Sequence, residues 1–478
     1  MEAETTKGVL VFYAYSRSLL PCVMAMTERG LRVDDALRQE RLAALTKEAV
    51  AIQAAVQPIV EPLQERLQER KLLWKRRVCK SCRNGSKKRL TCTACSGLGS
   101  ATTFTLKLGS PRQLADICFN GLKLPRRSRK GKTTVDEEAL KSLLPYDKSG
   151  FVAQALRFAK LSTMREIYER VGPGSDGLVR TVFNVAGTYT GRFSSSEAFY
   201  WPHSTNLQNL PAQEARREQL FAVREVFGPR SGCMYIYADL SQAEARVVAY
   251  LSEDAELIAN WERDPWWDIH RHTAAQMFGI ALSQVTPMER HVGKASHKIN
   301  YGIGAKTLAR DINDVADLTG RAVTIAECKQ FIARIHKARP CLDQWWGRVQ
   351  QHLEAKLPMV ASHCGWECDF WPRFSYDGSL DPESLRAAIA WEPQHTVVHV
   401  LNEGMRMVYE QEKEAGWRLL FQGHDSILVE VPQERAPAAA TRLKALLERP
   451  TIVNGHTLTI PVEVFVGERN WGELQRIL

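Results

Sequence analysis

The sequence contains no long apolar segment. Over its 478 residues, no uninterrupted run reaches the roughly 18 apolar residues that a membrane-spanning helix requires. The N-terminal stretch MEAETTKGVLVFYAYSRSLL also lacks the basic start and the small-residue cleavage site of a secretory signal. These absences predict a cytoplasmic chain without a membrane span, and its length allows roughly two to four domains.

Acidic residues are outnumbered in this chain. It has 64 Lys and Arg against 54 Asp and Glu, which gives a formal net charge of +10 and a pI near 9.0. Such a charge favours a polyanionic partner such as nucleic acid, because a positive surface attracts phosphates. A protein without such a partner can have the same charge, so composition alone leaves both interpretations open.

The cysteines do not fit a simple disulfide framework, because their number, 11, is odd. Four of them form two C-x-x-C pairs, and a glycine after each pair lets the backbone fold around sulfur: Cys79, Cys82, Cys92 and Cys95. Four thiolates at this spacing are typical of a closed, tetrahedral, structural Zn²⁺ site. A redox-active dithiol pair and an iron–sulfur cluster are the alternatives. The basic residues around the pairs are either phosphate contacts or solvated surface.

A second group of metal-binding residue types consists of His363, Cys364 and Cys368. A tetrahedral site needs four ligands, and the neighbouring sequence offers no fourth. We therefore expect no metal at this place.

Two aspartates interrupt strand-like segments that lie far apart in the chain. Asp239 follows the apolar run that starts at Tyr235, and Asp425 interrupts the run from Phe421 to Val431. Carboxylates that converge from separate strands can bind two hard divalent cations, which suits phosphoryl transfer. Taken alone, an aspartate at the end of a strand is more often a turn residue or a helix cap.

The segments around both aspartates resemble motifs of the family A DNA polymerases, the bacterial DNA polymerase I type. DLSQAEARVVAYLS, residues 239–252, is similar to the first catalytic motif, usually written DYSQIELR. GHDSILVEVP, residues 423–432, is similar to the last motif, usually VHDE, although Ser426 stands where most relatives carry Glu. The resemblance covers nearly the whole chain from residue 19.

Other segments extend this resemblance to residues that contact DNA in the family. TYTGRFSSSEAFYWPHSTNLQNLP, residues 188–211, is similar to TATGRLSSSDPNLQNIP, and the helix from Leu385 to Met405 is similar to RAAINAPMQGTAAD. His395 and His399 depart from the latter pattern. The basic loop from Leu124 to Thr134 resembles a thumb segment that touches the DNA backbone, although a linker would be equally basic. The implied DNA contacts are Arg192, Asn206, Gln208, Arg386, Gln394 and His424.

The nucleotide-binding residues are implied by the same resemblance. Arg290 and Lys294 share a helix face, so both can contact the triphosphate, and Lys294 can protonate the leaving pyrophosphate. Tyr301 is implied to stack near the inserted nucleotide. It arrives one residue early relative to the family pattern, so the register after Lys294 is open. The other implied nucleotide contacts are Glu244, His270 and Gln242.

The resemblance implies an α+β chain with the right-hand polymerase fold. This fold has an antiparallel-sheet palm, helical fingers and a helical thumb, here with a small four-cysteine zinc module. The predicted boundaries are a thumb at 1–165 with the zinc-ribbon insertion at 75–100, a first part of the palm at 166–255, fingers at 256–384 and a second part of the palm at 385–478.

The implied activity is primer extension on a DNA template with deoxynucleoside triphosphates. Asp239 and Asp425 would hold two catalytic Mg²⁺ ions, and one Zn²⁺ would be structural. Since the thumb pattern begins near residue 19, we expect no 3′–5′ exonuclease, and we expect a monomer that works with a separate exonuclease, helicase or processivity protein. The zinc insertion and the divergent motifs favour a phage-encoded enzyme in a bacterial host cell.

Two alternatives remain on the sequence alone. A single-subunit RNA polymerase also has HDS in its last motif, so Ser426 does not discriminate. The other alternative is a catalytically inactive zinc-ribbon DNA-binding replication factor. Glu244 favours DNA synthesis, because a carboxylate under the sugar would exclude a 2′-hydroxyl. Retention of both aspartates, Arg290 and Lys294 argues against an inactive scaffold.

Overall fold

A computed structural model describes most of the chain. The described residues are 2–63, 76–78, 100–102, 106–129, 131–185, 187–198, 201, 203–211, 220, 222–314, 322–361 and 363–478. The four cysteines of the predicted zinc ribbon lie outside these residues, so that zinc site stays a prediction. Among the described residues, none of the helices combines the length and the apolar character that crossing a bilayer demands.

The chain divides into two compact units. The first consists of Met1–Val33, Pro173–Leu210 and Arg224–Leu478, and the second of Asp34–Gly172 and Pro211–Val223. Both strands and helices occur in each unit, which agrees with the predicted α+β class.

A five-stranded antiparallel sheet forms the centre of the first unit. Its spatial order is Arg418–Gln422, Ser426–Pro432, Cys233–Leu240, Val462–Gly467 and Gln475–Arg476. The middle strand, Cys233–Leu240, is named the central strand below. Its Ile236 and Ala238 are fully buried, and because side chains alternate along a strand, Tyr237 and Asp239 point to the opposite face. The sheet thus has one apolar face and one face with polar groups.

The remaining strands of the first unit form short antiparallel pairs. These are Leu31–Arg32 with Leu178–Val179, Val182–Asn184 with Ser194–Ser196, Met359–Ala361 with Trp366–Cys368, and Pro450–Val453 with His456–Thr459.

Eleven α-helices of the first unit fall within the described residues. They are Glu2–Arg29, Ala243–Ser252, Ala255–Arg263, Ile269–Phe278, Pro287–Ala295, Ala305–Asn313, Ile325–Ala338, Pro340–Glu354, Pro382–Glu410, Glu412–Ala415 and Ala436–Leu447. Pro382–Glu410 is named the long helix. Its middle part is buried on almost all sides, and the buried residues there include apolar side chains and polar ones such as Glu392, His395 and Asn402.

A helical cluster in the middle of the chain has its own apolar core. Met277, Val292, Leu308, Phe331 and Ile335 are all buried in it and come from four different helices. Side-chain caps set where two of these helices begin. Thr286 and Thr324 each form a capping box with a glutamate three residues later, which satisfies backbone N–H groups at the helix start.

The second unit is mainly helical. Its helices are Asp35–Val60, Pro111–Ala115, Glu137–Lys141 and Phe151–Arg170, with a π-helical turn at Asp116–Gly121. The two long ones pack against each other through buried side chains that include Leu45, Val56, Val152 and Ala155. Two short antiparallel pairs complete the unit, Arg76–Val78 with Ser100–Thr102 and Ser128–Arg129 with Lys132–Thr133.

Candidate active site

Asp239 and Asp425 meet at one end of the central sheet. Asp239 is directly opposite Ser426 in the antiparallel register, and the backbone N–H of Leu240 donates to the carbonyl oxygen of Asp425 over 2.9 Å. The Tyr237 hydroxyl donates to the Ser426 hydroxyl over 2.7 Å and also lies 3.4 Å from Oδ2 of Asp239. The structure therefore brings together two acids that are far apart in the sequence.

A third acid adds to the negative charge at this end of the sheet. Glu463 is opposite Asp239 on the other neighbouring strand, and its Oε1 lies 2.7 Å from Nη1 of Arg476. Burial raises the pKa of Asp239 well above its usual range, and repulsion from Asp425 and Glu463 raises it further. The pKa of Asp425 is raised as well, chiefly because protein atoms crowd its carboxyl. Three carboxyl groups are thus concentrated at this end of the sheet.

Glu244 lies in the first turn of the helix Ala243–Ser252, where a carboxylate is favoured by the helix dipole. It forms an ion pair with Arg192, and its Oε2 accepts a hydrogen bond from the Tyr301 hydroxyl over 2.7 Å. Nε2 of His297 lies 3.6 Å from the same oxygen. Burial alone would raise the pKa of Glu244, but His297, Arg192 and Tyr301 together lower it to about 2. The carboxylate is therefore ionised and held in place from three sides.

The helix Pro287–Ala295 presents Arg290 and Lys294, both exposed, one turn apart on the same face. Arg290 forms an ion pair with Asp268. The Asp268 side chain also caps the helix Ile269–Phe278 by accepting from the backbone N–H groups of His270 and Arg271. The positive charge of Lys294 is close enough to Asp239 to lower its pKa slightly. The helix thus presents two cations on one face, and Lys294 lies near Asp239.

The backbone winds more tightly after Lys294. The α-helix ends at Ala295, and a 3₁₀-helix continues from Ser296 to Tyr301. A 3₁₀-helix advances about 2.0 Å per residue instead of about 1.5 Å, so fewer residues span the same distance. The Tyr301 hydroxyl, at the end of this 3₁₀-helix, reaches Glu244, and the register relative to the family pattern stays a prediction.

His270 and Gln242 were predicted to contact the nucleotide, and the structure gives them contacts within the protein. Burial lowers the pKa of His270 to about 4, so it is neutral at physiological pH. The Gln242 amide accepts from the Ile269 backbone over 3.1 Å and donates to the Trp267 carbonyl over 3.4 Å. Gln242 therefore holds the start of the neighbouring helix, and a nucleotide contact for either residue stays a prediction.

Two of the predicted DNA contacts are also engaged within the protein. Oδ1 of Asn206 accepts from the Ser195 hydroxyl over 2.5 Å and caps the 3₁₀-helix Leu207–Asn209. The Gln208 amide donates to the backbone and side-chain oxygens of Gln422 over 3.1 and 3.0 Å. The bonds of Gln208 hold Gln422, at the end of the strand before Asp425.

The other predicted DNA contacts are more accessible. Arg386 is exposed and Gln394 is half-buried, both on the long helix. His424 is exposed beside Asp425, and partial desolvation lowers its pKa. Arg192 is half-buried, with its guanidinium on Glu244.

Several residues of the site were not found from the sequence. His297, Tyr237 and Glu463 reach it through tertiary contacts, and no local pattern distinguishes them. Glu463 occupies an ordinary strand position in VEVFVG, three residues after Ile460, so only the register opposite Asp239 reveals it.

The expectation that His363 and Cys364 lack further ligands is wrong. His395 and His399 of the long helix meet them, and the ligand atoms of these four residues lie within 4.8 Å of one another. Cys368 is not a member of the group. The missing ligands are distant in sequence, which is why spacing did not reveal them.

Comparison with known proteins identifies similar chains. Residues 79–473 match the family model for DNA polymerase family A. DNA polymerase I of Caldicellulosiruptor bescii is 30% identical over 384 residues, which are 77% of this chain and 41% of that protein. The thermostable DNA polymerase I of Thermus aquaticus is 28% identical over 377 residues, or 75% of this chain and 41% of that protein. The chain thus spans about two fifths of the length of these curated relatives.

A solved structure has a similar fold. It is the POL domain of Pol1 from M. smegmatis in complex with DNA primer-template and dNTP. The TM-score is 0.73 at 22% sequence identity, and the match covers 95% of this chain and 70% of that one. At this sequence identity, the similarity shows a shared fold and no more.

Proposed function

The chain belongs to the DNA polymerase family A, and from this premise we propose that it extends a primer strand along a DNA template with deoxynucleoside triphosphates. The observation that carries the proposal is the meeting of Asp239 and Asp425 beside a helix that presents Arg290 and Lys294. Two acids next to two cations suit a reaction in which a triphosphate is attacked by a hydroxyl group.

The donor set at the end of the sheet fits divalent cations. Asp239 and Asp425 offer hard carboxylate oxygens. Bound cations would offset the burial and the charge repulsion that raise the pKa of these acids. Two Mg²⁺ ions held there would lower the pKa of the primer 3′-hydroxyl and neutralise charge on the triphosphate. Glu463, opposite Asp239, and the Tyr237 hydroxyl, 3.4 Å from Oδ2 of Asp239, would help to position the Asp239 carboxyl.

Arg290 and Lys294 have the role of binding the triphosphate. In the protein without a nucleotide, the Arg290 guanidinium forms an ion pair with Asp268. A phosphate group would compete with Asp268 for this guanidinium. Lys294 is exposed on the same face and can donate a proton to the leaving pyrophosphate. Binding of the triphosphate would thus exchange one anion for another on Arg290, while Asp268 would keep its hydrogen bonds from the backbone of His270 and Arg271.

Glu244 has the role of selecting the sugar. Its ion pair with Arg192 and its bond from Tyr301 fix the carboxylate, and a fixed carboxylate excludes a 2′-hydroxyl by its bulk. Arg192 in turn can donate to the minor-groove acceptors of the newest base pair, which are similarly placed in all four correct pairs. Selection of the sugar and inspection of the base pair would therefore depend on one ion pair.

Primer extension tests this function. The purified chain, with MgCl₂, a labelled primer-template and four dNTPs, should lengthen the primer, and Asp425→Ala should abolish extension. Asp377→Ala is the matched control, because this acid lies in an exposed turn in the loop before the long helix and should be dispensable. An inactive wild-type protein would contradict the proposal and favour a DNA-binding factor without catalysis.

The sugar and the template distinguish this function from RNA synthesis. With rNTPs in place of dNTPs, extension should be at least about 10-fold slower, the scale of discrimination that one steric contact supplies. Promoter-dependent synthesis from rNTPs would instead identify an RNA polymerase. A primer with a 3′-terminal mismatch should remain intact without dNTPs, which tests the proposed absence of 3′–5′ exonuclease activity in this chain.

The domain assignment and the partners form part of the same proposal. We propose the predicted boundaries, with the thumb at 1–165, the palm at 166–255 and 385–478, and the fingers at 256–384. The unit of Asp34–Gly172 and Pro211–Val223 overlaps most of the proposed thumb. A separate exonuclease, helicase or processivity protein, and the setting of a phage-infected bacterial cell, stay predictions.

A further inference from the structure

Four metal-binding side chains converge away from the paired acids. His363 and Cys364 lie in the turn of the hairpin formed by Met359–Ala361 and Trp366–Cys368, and His395 and His399 project from the long helix. One ligand atom from each of the four lies within 4.8 Å of all the others. Sγ of Cys364 is 3.8 Å from Nε2 of His395.

The two backbone elements present these ligands in a fixed arrangement. His395 and His399 are four residues apart on one helix, so their rings share a face. The hairpin turn is held by the Ala361 carbonyl, which accepts from the backbone N–H of Cys364 over 3.3 Å and of Gly365 over 2.8 Å. Gly365 has a φ of +69°, a left-handed conformation that glycine adopts readily and that closes the turn.

Hydrogen bonds to the rings leave the facing nitrogens available. Nδ1 of His395 lies 3.0 Å from the Thr190 carbonyl oxygen, so it must carry a proton, and Nε2 has the free lone pair. Nδ1 of His363 lies 3.1 Å from the Thr396 hydroxyl. Nε2 of His363 and Nδ1 of His399 are buried and have no hydrogen-bond partner among the described residues. Buried polar atoms are rarely left unpaired, which indicates a missing partner.

Aromatic side chains surround the histidines. Trp391 stacks on His395 with the ring centres 5.3 Å apart, and Trp366 contacts the same ring edge-on at 4.6 Å. Tyr15 stacks on His399 at 4.9 Å. These rings pack around the cluster and hold the imidazoles in place.

We propose that His363, Cys364, His395 and His399 bind one Zn²⁺ ion in a structural site. Three imidazoles and one thiolate are ligand types that zinc prefers, and four protein ligands leave no open position for catalysis. Zn–N bonds of about 2.0–2.1 Å and a Zn–S bond of about 2.3 Å place tetrahedral ligand atoms about 3.3–3.6 Å apart. Side-chain rotations would close the present separations. Binding releases the thiol proton of Cys364 to solvent.

The ion would fasten the hairpin to the long helix beside the loop that carries Arg192. The Thr190 carbonyl oxygen orients His395, and a Cβ on the adjacent Gly191 would lie 3.2 Å from Nδ1 of that ring. The loop, the helix and the hairpin thus meet at one point. This zinc site is distinct from the predicted four-cysteine site and does not depend on the proposed polymerase function.

Zinc content tests the proposal in the full-length chain. Because the C-x-x-C cysteines are a second candidate site, the protein carries Cys79→Ser, Cys82→Ser, Cys92→Ser and Cys95→Ser as a background. Purified from zinc-supplemented cells and dialysed, this background should retain one zinc per chain by elemental analysis. Cys364→Ser and His399→Ala in it should lose that zinc, whereas Cys368→Ser, a cysteine of the same hairpin outside the cluster, should retain it. A background without zinc, or equal zinc in all variants, would overturn the site.

A second readout guards against variants that fail to fold. In the unmutated chain, a chelator should lower the melting temperature, and Co²⁺ should restore it with the absorption of a tetrahedral site. In Cys368→Ser, the same titration should be unchanged. In Cys364→Ser, the chelator-dependent shift should become smaller, because only the four-cysteine site would remain. An identical shift in Cys364→Ser and in the unmutated chain would contradict the proposal even if the polymerase assay succeeds.

Discussion

At the scale of single residues, Asp239 has an unfavourable position in the free protein. It lies between Asp425 and Glu463 on neighbouring strands, and its burial raises its pKa. A carboxyl with a raised pKa binds more protons in the folded than in the unfolded chain. Its contribution to stability is therefore present below pH 3.8, the unfolded value, and is lost as the pH rises through the higher folded pKa. The acids that we propose to bind metal thus destabilise the metal-free protein at neutral pH.

We predict that Asp239→Asn abolishes extension and yet stabilises the protein. Without magnesium at pH 8, the free energy of unfolding should rise by about 1 kcal/mol, a typical size for one substitution. At pH 4 the gain should shrink, because the wild-type acid is then largely protonated. Denaturant titrations at both pH values measure this. A variant less stable than wild type at pH 8 would show that the charge is already compensated.

The pKa of Glu244 is shifted in the opposite direction from that of Asp239. Its pKa is lowered to about 2, so its contribution to stability is present above 4.5 and is lost as the pH falls towards 2. It is therefore ionised throughout the range in which polymerases are assayed. Sugar selection that depends on this carboxylate should not change between pH 6 and pH 9.

We predict that Glu244→Ala lowers the preference for dNTP over rNTP by about 10-fold or more, because the bulk under the sugar is gone. Tyr301→Phe should have a smaller effect, since it removes only the 2.7 Å hydrogen bond that fixes Oε2. Single-nucleotide incorporation with dCTP and CTP gives kcat/KM for both. If both variants discriminate like wild type, Glu244 does not select the sugar.

At the scale of elements, one close helix crossing positions the cations. At Gly293, the helix Pro287–Ala295 touches Ile269–Phe278 so closely that a Cβ would lie 2.1 Å from the His270 carbonyl oxygen. Backbone atoms cannot yield at this distance, so only glycine permits the crossing. Lys294, the next residue, is positioned by it.

We predict that Gly293→Ala destabilises the protein by about 1–3 kcal/mol, the usual cost of overpacking, and raises KM for dNTPs because Lys294 is displaced. Gly347→Ala is the matched control. Gly347 also lies in a helix, Pro340–Glu354, but nothing lies within 4 Å of an added Cβ. This control should be stabilised by about 0.5–1 kcal/mol. Equal effects of the two substitutions would refute the role of the crossing.

The elements also show what the sequence could and could not predict. The strand before Asp239 and the helices after it follow from apolar periodicity and caps, which are local. The change to a 3₁₀-helix at Ser296 was not predictable from apolar periodicity, and neither was the contact of Tyr301 with Glu244. The meeting of His363 with His399 requires the tertiary structure in the same way. Local patterns thus find elements, whereas the partners of a side chain come from packing.

At the scale of the whole molecule, the net charge of +10 bears on DNA affinity. Phosphate contacts release counterions from DNA, so affinity falls as salt rises, independently of sequence. We predict that the dissociation constant for a primer-template rises at least about 10-fold from about 50 to about 200 mM salt. Two primer-templates of unrelated sequence should give equal slopes. Fluorescence anisotropy measures both, and a salt-independent affinity would contradict an electrostatic contact.

The basic loop from Leu124 to Thr134 can be tested in the same assay. Lys132→Ala, which removes an exposed cation of this loop, should reduce the salt slope by about one. Lys413→Ala removes the same charge from the exposed surface of Glu412–Ala415 and should leave the slope unchanged. If both substitutions reduce the salt slope equally, the slope depends on the total charge of the chain and not on this loop.

The pairing of Arg76–Val78 with Ser100–Thr102 places Val78 opposite Ser100. Residues 79–99 therefore join the described chain at two positions that are paired across one strand pair. Because Val78 and Ser100 already lie side by side, a short link between them could replace the intervening residues without moving the neighbours of either strand. We expect a chain with a tight Asn-Gly turn in their place to fold.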